Sequence, residues 1–148
     1  MVKLNFPEYN LRIKNSEKGL QIFDIVRRKF VVLQPEEWVR QHVVHFLKDV
    51  KKFPLSLINV EKQFKLKNLN KRMDVVVYNS DGSIHVLVEC KAFDQPITQH
   101  VFDQIARYNL EIKADYLMVT NGINHYYAIM DYNKEKYTFL ADIPDFSR

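Results

Sequence analysis

The chain has 148 residues, of which 47% are hydrophobic and 27% charged, with a formal net charge of +4. These values are typical of one globular domain that buries its own core. No run approaches the ~20 apolar residues of a membrane helix, and the first residues lack the apolar segment of a signal peptide. Cys90 is the single cysteine, which excludes an internal disulfide. We therefore expect a cytoplasmic protein with no membrane contact.

The glycine content excludes two classes of nucleotide-binding protein. Only three glycines occur, and neither GxxxxGK[ST] nor GxGxxG is present, so a P-loop and a Rossmann fingerprint are both absent from the sequence. The positive net charge suits a polyanionic partner such as DNA. A run of cations precedes Asp74, and either a solvated face or a nucleic-acid surface explains it. Its members are Lys62, Lys65, Lys67, Lys71 and Arg72.

The first third of the chain has the pattern of a small β extension. Strand-like segments cover residues 11–14 and 20–26, and the polar stretch 15–19 between them predicts a hairpin loop. A further short strand is predicted at 30–33. Residues 1–34 are therefore assigned to an N-terminal extension.

A helix is predicted to begin at Pro35, a residue favoured in the first helical turn. Glu36 and Glu37 follow in that turn, where the helix macrodipole favours acids. Apolar residues recur at helical spacing as far as Val50, which predicts a buried face, and the helix is expected to end before Pro54.

Three strand-like segments follow, at 59–66, 73–78 and 84–93. The last two are nearly all apolar and rich in β-branched residues, which is typical of strands in the centre of a sheet. The polar segment 79–83 predicts a tight hairpin between them.

A second helix is predicted after Thr98, a residue suited to the N-cap position. Strands are then predicted at 115–120, 126–131 and 136–141. The order of strands, helix, three strands, helix and strands predicts an α/β (α+β) protein with one mixed sheet. In this division, residues 35–132 form the core and residues 133–148 a terminal strand and tail.

Asp74, Glu89 and Lys91 are the candidates for catalysis. Strand residues two apart share a face, so Glu89 and Lys91 are expected to point the same way. If the hairpin loop is 80–83, residue 79 pairs with 84 and Asp74 lies directly opposite Glu89. A loop one residue shorter or longer would turn Asp74 to the other face.

Two carboxylates at the end of apolar strands need a compensating charge. Mg²⁺ takes one or two carboxylates, keeps several waters and binds phosphate oxygens, so the pair predicts a magnesium site. An amine two residues from such a ligand can hold the attacking water and neutralise charge on the phosphate. The alternative is a simple salt bridge from Lys91 to Asp74 or Glu89.

Residues 72–78 (RMDVVVY) and 86–92 (VLVECKA) resemble the PD-(D/E)XK nuclease superfamily, and are most similar to the N-terminal nuclease domain of type I restriction enzyme R subunits. The resemblance implies a restriction-endonuclease-like core, with a central mixed β-sheet flanked by helices in αβββαβ order; the N-terminal hairpin is extra. It also implies Mg²⁺-dependent DNA cleavage, with Mn²⁺ as an alternative ion. Carried onto this chain, it makes Asp74 and Glu89 metal ligands and Lys91 the catalytic amine.

The resemblance extends to both helices. Residues 104–108 fit a QxxxY element, which adds Gln104 to the catalytic set and Tyr108, with the neighbouring Arg107, to the nucleic-acid contacts. Core packing is an equal alternative for Tyr108. The first helix often supplies another acid in this superfamily, for which we choose Glu37 as a metal ligand and keep Glu36 as the alternative. One departure is Met73, where the superfamily has proline.

The leading functional prediction is a metal-dependent endonuclease acting on DNA in a restriction-modification setting. The alternative is a non-catalytic module that uses a nuclease fold to bind nucleic acid or a partner. A third reading is an assembly subunit without enzymatic activity. Separately encoded restriction or helicase subunits are the expected protein partners. The sequence leaves open whether the protein forms a homodimer.

Overall fold

The protein is described here by a computed structural model covering residues 1–147. Its first three strands form a separate antiparallel sheet in the order β1-β2-β3. These strands are β1 (Ile13–Ser16), β2 (Gly19–Asp24) and β3 (Lys29–Val32). The predicted N-terminal hairpin is therefore two strands of a three-stranded sheet, with the short third strand also in place.

Helix α1 spans Pro35–His45 and continues into a π-helical turn at Phe46–Val50. The amide of Lys51 donates to the carbonyl of Phe46 at 3.1 Å, which inserts one extra residue into the turn. The insertion shifts the helical phase, so Leu47 is fully buried while Val50 is 39% exposed. The prediction that Val50 belongs to the buried face was wrong for this reason.

A six-stranded mixed sheet forms the body of the protein, in sequential order. All neighbouring strands are antiparallel except β6 and β7, which are parallel and are connected through helix α2. Its elements are β4 (Ile58–Leu66), β5 (Leu69–Tyr78), β6 (Ile84–Cys90), α2 (Gln99–Ile112), β7 (Tyr116–Thr120), β8 (His125–Asp131) and β9 (Lys136–Leu140). From α1 onward the order begins αβββαβ, as predicted.

The pairing of β5 with β6 decides where the acids lie. Val77 pairs with Val86 and Val75 with Val88, which is the predicted register. The predicted pairing of residue 79 with 84 was wrong, because Tyr78 pairs with Ile84 instead. A bulge between Val77 and Tyr78 shifts the pairing by one residue next to the turn, and the rest of the two strands keeps the predicted register.

Each face of the sheet has its own core. Val39 and Val43 of α1, with Leu47 of the π-helical turn, pack against one face, and Phe102 and Ile105 of α2 pack against the other. The mixed sheet flanked by helices is thus confirmed. No helix within residues 1–147 is long and apolar enough to cross a membrane.

The hairpin of β4 and β5 turns over partway along its length. Val60 and Val75 pack on the α1 side, whereas Phe64 and Met73 pack on the α2 side, although strict alternation would keep all four together. The change of face occurs at Glu61, which has a left-handed backbone with φ 58°. In the outer half of the hairpin, beyond Glu61, each side chain therefore lies on the face opposite to the one that strict alternation predicts.

Candidate active site

Asp74 and Glu89 lie side by side on neighbouring strands. The β5–β6 ladder ends at the pair Val75–Val88, and Asp74 and Glu89 are the next residues on the two strands, with their side chains in contact. Asp74 is 9% exposed and Glu89 5% exposed. Asp74 Oδ2 accepts a hydrogen bond from the Cys90 amide at 2.7 Å, and Asp74 Oδ1 is 3.5 Å from Arg40 Nη1. Backbone and helix together thus hold the Asp74 carboxyl group in place.

The proximity of the two acids changes the protonation of Asp74. Burial, together with the hydrogen bond and the negative charge of Glu89, raises the pKa of Asp74 to about 8. The Cys90 amide and Arg40 lower it, but by less. The raised pKa favours the protonated form of Asp74 near neutral pH, and a further positive charge nearby would favour its ionised form.

Glu89 carries a buried oxygen that has no hydrogen-bond partner within residues 1–147. This atom is Glu89 Oε2. Lys71 Nζ lies 3.4 Å from it but outside hydrogen-bonding geometry. An orphaned carboxylate oxygen beside a second carboxylate fits a magnesium ion, which uses one or two protein carboxylates and completes its shell with waters and phosphate oxygens.

Lys91 directly follows β6. Its amide donates to the Thr120 carbonyl at 2.8 Å, which extends the ladder with β7 beyond Cys90. Over the described part of the chain, no carboxylate oxygen lies within 4.0 Å of its ammonium group, so the simple salt bridge to Asp74 or Glu89 is not formed. Lys91 is half-buried and carries a positive charge that is not tied to either acid.

The two acids of α1 have separate environments. Glu37 was chosen as a third metal ligand, but its oxygens accept hydrogen bonds from Arg40 (2.9 Å from Nε), Arg27 (3.1 Å) and Gln41 (3.0 Å). Glu37 is therefore committed to an ion-pair network, and no group of three or more His, Cys, Asp or Glu side chains in residues 1–147 forms a metal cluster. The assignment of Glu37 as a metal ligand stays a prediction, which these ion pairs do not favour.

The pKa of Glu36, the alternative acid, is shifted by charges of the site. Its pKa is raised by partial burial and by the charge of Asp74, whereas Lys91 lowers it. Glu36 thus lies in the electric field of Asp74 and Lys91, at the rim of the site.

A cleft of about 480 Å³ opens over Asp74. One wall is β3 of the N-terminal sheet, through Val31 and Val32, and another is the beginning of α1. The hairpin of β4 and β5 contributes Glu61 and Arg72 beside Asp74. The first acid is therefore reached from a polar cleft whose outer wall comes from the N-terminal extension.

The cations predicted to bind nucleic acid do not form one patch. Opposed residues share a face, so the pairing of Gln63 with Arg72 and of Lys65 with Asn70 puts Arg72 and Lys65 on the Asp74 side of the hairpin. Lys62, paired with Met73, lies on the α2 side. The pairing of Lys71 with Phe64 places Lys71 on that same side, and Lys67 lies in the hairpin turn, where its amide donates to Glu111.

Gln104 and Tyr108 contact each other on the outer side of α2. Gln104 Nε2 donates to Tyr108 Oη at 3.3 Å. The Tyr108 ring is half-buried and lies 5.6 Å from Lys71 Nζ, so it has both a packing and a polar contact. Arg107 is exposed next to Tyr108.

Sequence reasoning missed two arginines of the site. Arg40 contacts both Glu37 and Asp74, and its spacing from Glu37, three residues along a helix, was a usable signal. Arg27 reaches Glu37 and Glu61 from the turn between β2 and β3, and no local pattern indicates a contact over that sequence distance.

Comparison with known proteins places this chain in a family. Residues 35–144 match the family described as the type I restriction enzyme R protein N terminus, and the chain belongs to that family. A solved fragment assigned as an HsdR subunit of a type I restriction enzyme from Vibrio vulnificus YJ016 is 22% identical over 60% of this chain, with a TM-score of 0.41. This chain spans 19% of that one. No curated protein matches the sequence.

Proposed function

We propose that the protein is a metal-dependent endonuclease domain of the PD-(D/E)XK type that hydrolyses DNA phosphodiester bonds. The observation that carries the proposal is the buried Asp74–Glu89 pair, with the orphaned Glu89 Oε2 and the unpaired Lys91 two residues further on. A purely structural arrangement would pair Lys91 with one of the two acids. Lys91 makes no such salt bridge, and Glu89 Oε2 accepts no hydrogen bond, which leaves both groups able to take a phosphate and a cation.

Asp74 and Glu89 would hold Mg²⁺ or Mn²⁺, and the bound ion would supply Lewis-acid stabilisation of the phosphate and a more acidic water. The Cys90 amide fixes the Asp74 carboxylate for this task. Lys91 orients the attacking water and takes part of the negative charge that develops on the phosphate. Gln104 acts as a further polar contact on the α2 side.

Arg72 and Lys65, on the Asp74 side of the hairpin, would contact the DNA backbone. Membership in the R-protein family favours a restriction-modification setting. Separately encoded restriction or helicase subunits are the protein partners that we propose for it.

The decisive experiment titrates Mg²⁺ and Mn²⁺ against linear, nicked, branched and single-stranded DNA. Wild-type protein is expected to cleave at least one of these substrates, and Lys91→Ala to lose cleavage while keeping its fold by circular dichroism. Lys18→Ala, in the exposed turn between β1 and β2, is the matched control and should cleave normally. Absence of cleavage by wild type with every substrate and either metal would overturn the proposal.

A non-catalytic DNA-binding module is the second candidate function. The observation that favours it is the absence of a third acidic ligand around Asp74 and Glu89 in residues 1–147. It predicts DNA binding without turnover that is insensitive to Asp74→Asn. Cleavage that is lost in Asp74→Asn would eliminate it.

A further inference from the structure

Lys71 connects helix α2 to the acid pair. Its ammonium group is 3.4 Å from Glu89 Oε2 and 5.6 Å from the centroid of the Tyr108 ring. Tyr108 in turn accepts a hydrogen bond from Gln104 at 3.3 Å. The Gln104–Tyr108 pair and the second acid are therefore linked through one lysine side chain.

The backbone explains why Lys71 reaches Glu89. The turnover of the hairpin at Glu61 moves the outer part of β5 to the α2 side, where Lys71 pairs with Phe64. Without that left-handed residue, alternation would place Lys71 on the opposite side from Tyr108. The Lys71–Glu89 contact thus depends on the left-handed backbone at Glu61, a conformation that residues other than glycine rarely adopt.

The Lys71–Glu89 contact differs from an ordinary surface salt bridge. The side chain of Glu89 is 7% exposed and that of Lys71 29% exposed, so solvent screens their interaction little. The ammonium group nevertheless makes no hydrogen bond to Glu89 Oε2. Lys71 therefore supplies charge to this oxygen without using its lone pairs, which leaves room for a ligand that binds directly.

We propose that Lys71 is the resident counter-cation of Glu89, positioned by Tyr108, and that a divalent ion must compete with its charge to bind. This inference rests on the proposed metal site and assigns Lys71 as a positioning residue rather than a DNA contact. Like charges within 4–6 Å oppose each other strongly where solvent is excluded. Removal of the Lys71 charge should therefore strengthen binding of the ion, although a lysine at a nuclease site would ordinarily be expected to assist it.

The test measures Mn²⁺ binding by isothermal titration calorimetry in the absence of DNA. Lys71→Met is expected to lower the Kd for Mn²⁺ by about tenfold relative to wild type. Lys71→Arg keeps the charge and should bind Mn²⁺ as wild type does. Lys62→Met, which removes an exposed lysine from the same side of the same hairpin, is the matched control and should leave the Kd unchanged.

A second variant keeps the proposal testable if Lys71→Met does not fold. Tyr108→Leu retains the charge but removes the ring that holds it, so the ammonium group moves toward solvent and Mn²⁺ binds more tightly by a smaller factor. An unchanged or higher Kd in folded Lys71→Met or Tyr108→Leu overturns the proposal, and so does a wild-type protein that binds no Mn²⁺. Wild type that binds Mn²⁺ with the expected Lys71 dependence but cuts no DNA would refute the nuclease function alone.

Discussion

The Cys90 amide donates to Asp74 Oδ2 at 2.7 Å, so a backbone group of β6 fixes a side chain of β5. Cys90 lies between Glu89 and Lys91 in the chain, and the hydrogen bond therefore ties the first acid to the segment that carries the other two groups. The Cys90 side chain is buried on the α1 side and contributes packing. Its backbone, rather than its thiol, serves the site.

The raised pKa of Asp74 has a consequence for stability that can be measured. An aspartate with a native pKa above its unfolded value of 3.8 binds more protons when folded, so the stability it contributes is present at low pH and is lost as pH rises toward about 8. Asp74→Asn removes this titration, since its amide can donate to Glu89 while its oxygen accepts from Cys90. In metal-free buffer at pH 8 we expect the variant to be more stable than wild type by on the order of 1–2 kcal/mol.

Thermal unfolding in EDTA at pH 5 and pH 8 checks this prediction, and the advantage of Asp74→Asn should grow with pH. Saturating Mg²⁺ should reverse the order, because the ion stabilises wild type by about 2.7 kcal/mol at a hundred times its Kd. A constant difference between the two proteins across pH would contradict the raised pKa.

The two sides of the β4–β5 hairpin predict unequal effects on DNA binding. Arg72 lies on the Asp74 side, whereas Lys62 lies on the α2 side. In EDTA, Arg72→Ala should weaken binding of a labelled duplex and lower the slope of log K against log salt by about 1, since one phosphate contact is lost. Lys62→Ala should change neither quantity appreciably. Equal losses in fluorescence anisotropy titrations of both variants would show that DNA does not follow the Asp74 side.

Arg27 contacts three carboxylates, and two of them, Glu37 and Glu61, join the N-terminal sheet to the body. It lies 2.6 Å from Asp24, 3.1 Å from Glu37 and 3.1 Å from Glu61. Burial alone would raise the pKa of Asp24, but the hydrogen bonds and charge of Arg27 lower it. Arg27→Ala leaves a fully buried aspartate without its cation and should cost about 3 kcal/mol of unfolding free energy.

The neighbouring Arg28→Ala is the control, because Arg28 is exposed and should change stability by less than about 0.5 kcal/mol. Urea denaturation of both variants provides the comparison. Similar midpoints for the two would show that the Arg27 contacts contribute little in solution.

Two glycines with the same backbone conformation differ in what surrounds them. Gly122 has φ +86° and Gly82 has φ +90°, but a Cβ at Gly122 would lie 2.8 Å from the buried Leu4 side chain, while one at Gly82 meets nothing within 4 Å. Gly82→Ala should cost about 1 kcal/mol of backbone strain, and Gly122→Ala an additional ~1–3 kcal/mol of overpacking. Denaturant midpoints that coincide for the two variants would show that the Leu4 contact relaxes freely.

Most of the fold could be predicted from sequence because its signals are local. The apolar runs of β5 and β6 and the Thr98 cap of α2 are formed as expected, and Thr98 Oγ1 accepts from the Val101 amide at 3.3 Å. The register that pairs Val75 with Val88 was predicted from the hairpin, and it is confirmed although the assumed loop was wrong, because the bulge near Tyr78 compensates for the error.

The remaining features depend on contacts between distant parts of the chain or on small backbone irregularities. The engagement of Glu37 by Arg27 required knowledge of how the N-terminal sheet docks. Alternation predicts that the cations divide between two faces, but which of them lie on the α2 side depends on the left-handed Glu61, where the sequence has no glycine or asparagine as a signal. Lys51 is buried in place of Val50 because of the π-helical turn, which the apolar pattern does not predict.

The opening above Asp74 is bordered by Val31 and Val32, which precede the segment 35–144 that defines the family. One wall of the cleft and the acid pair are thus encoded by different stretches of the polypeptide. A change in the stretch before Pro35 can widen, narrow or reshape the entrance while the acid pair stays untouched. Under the proposed function, preference among DNA forms would then evolve without any change to Asp74 or Glu89.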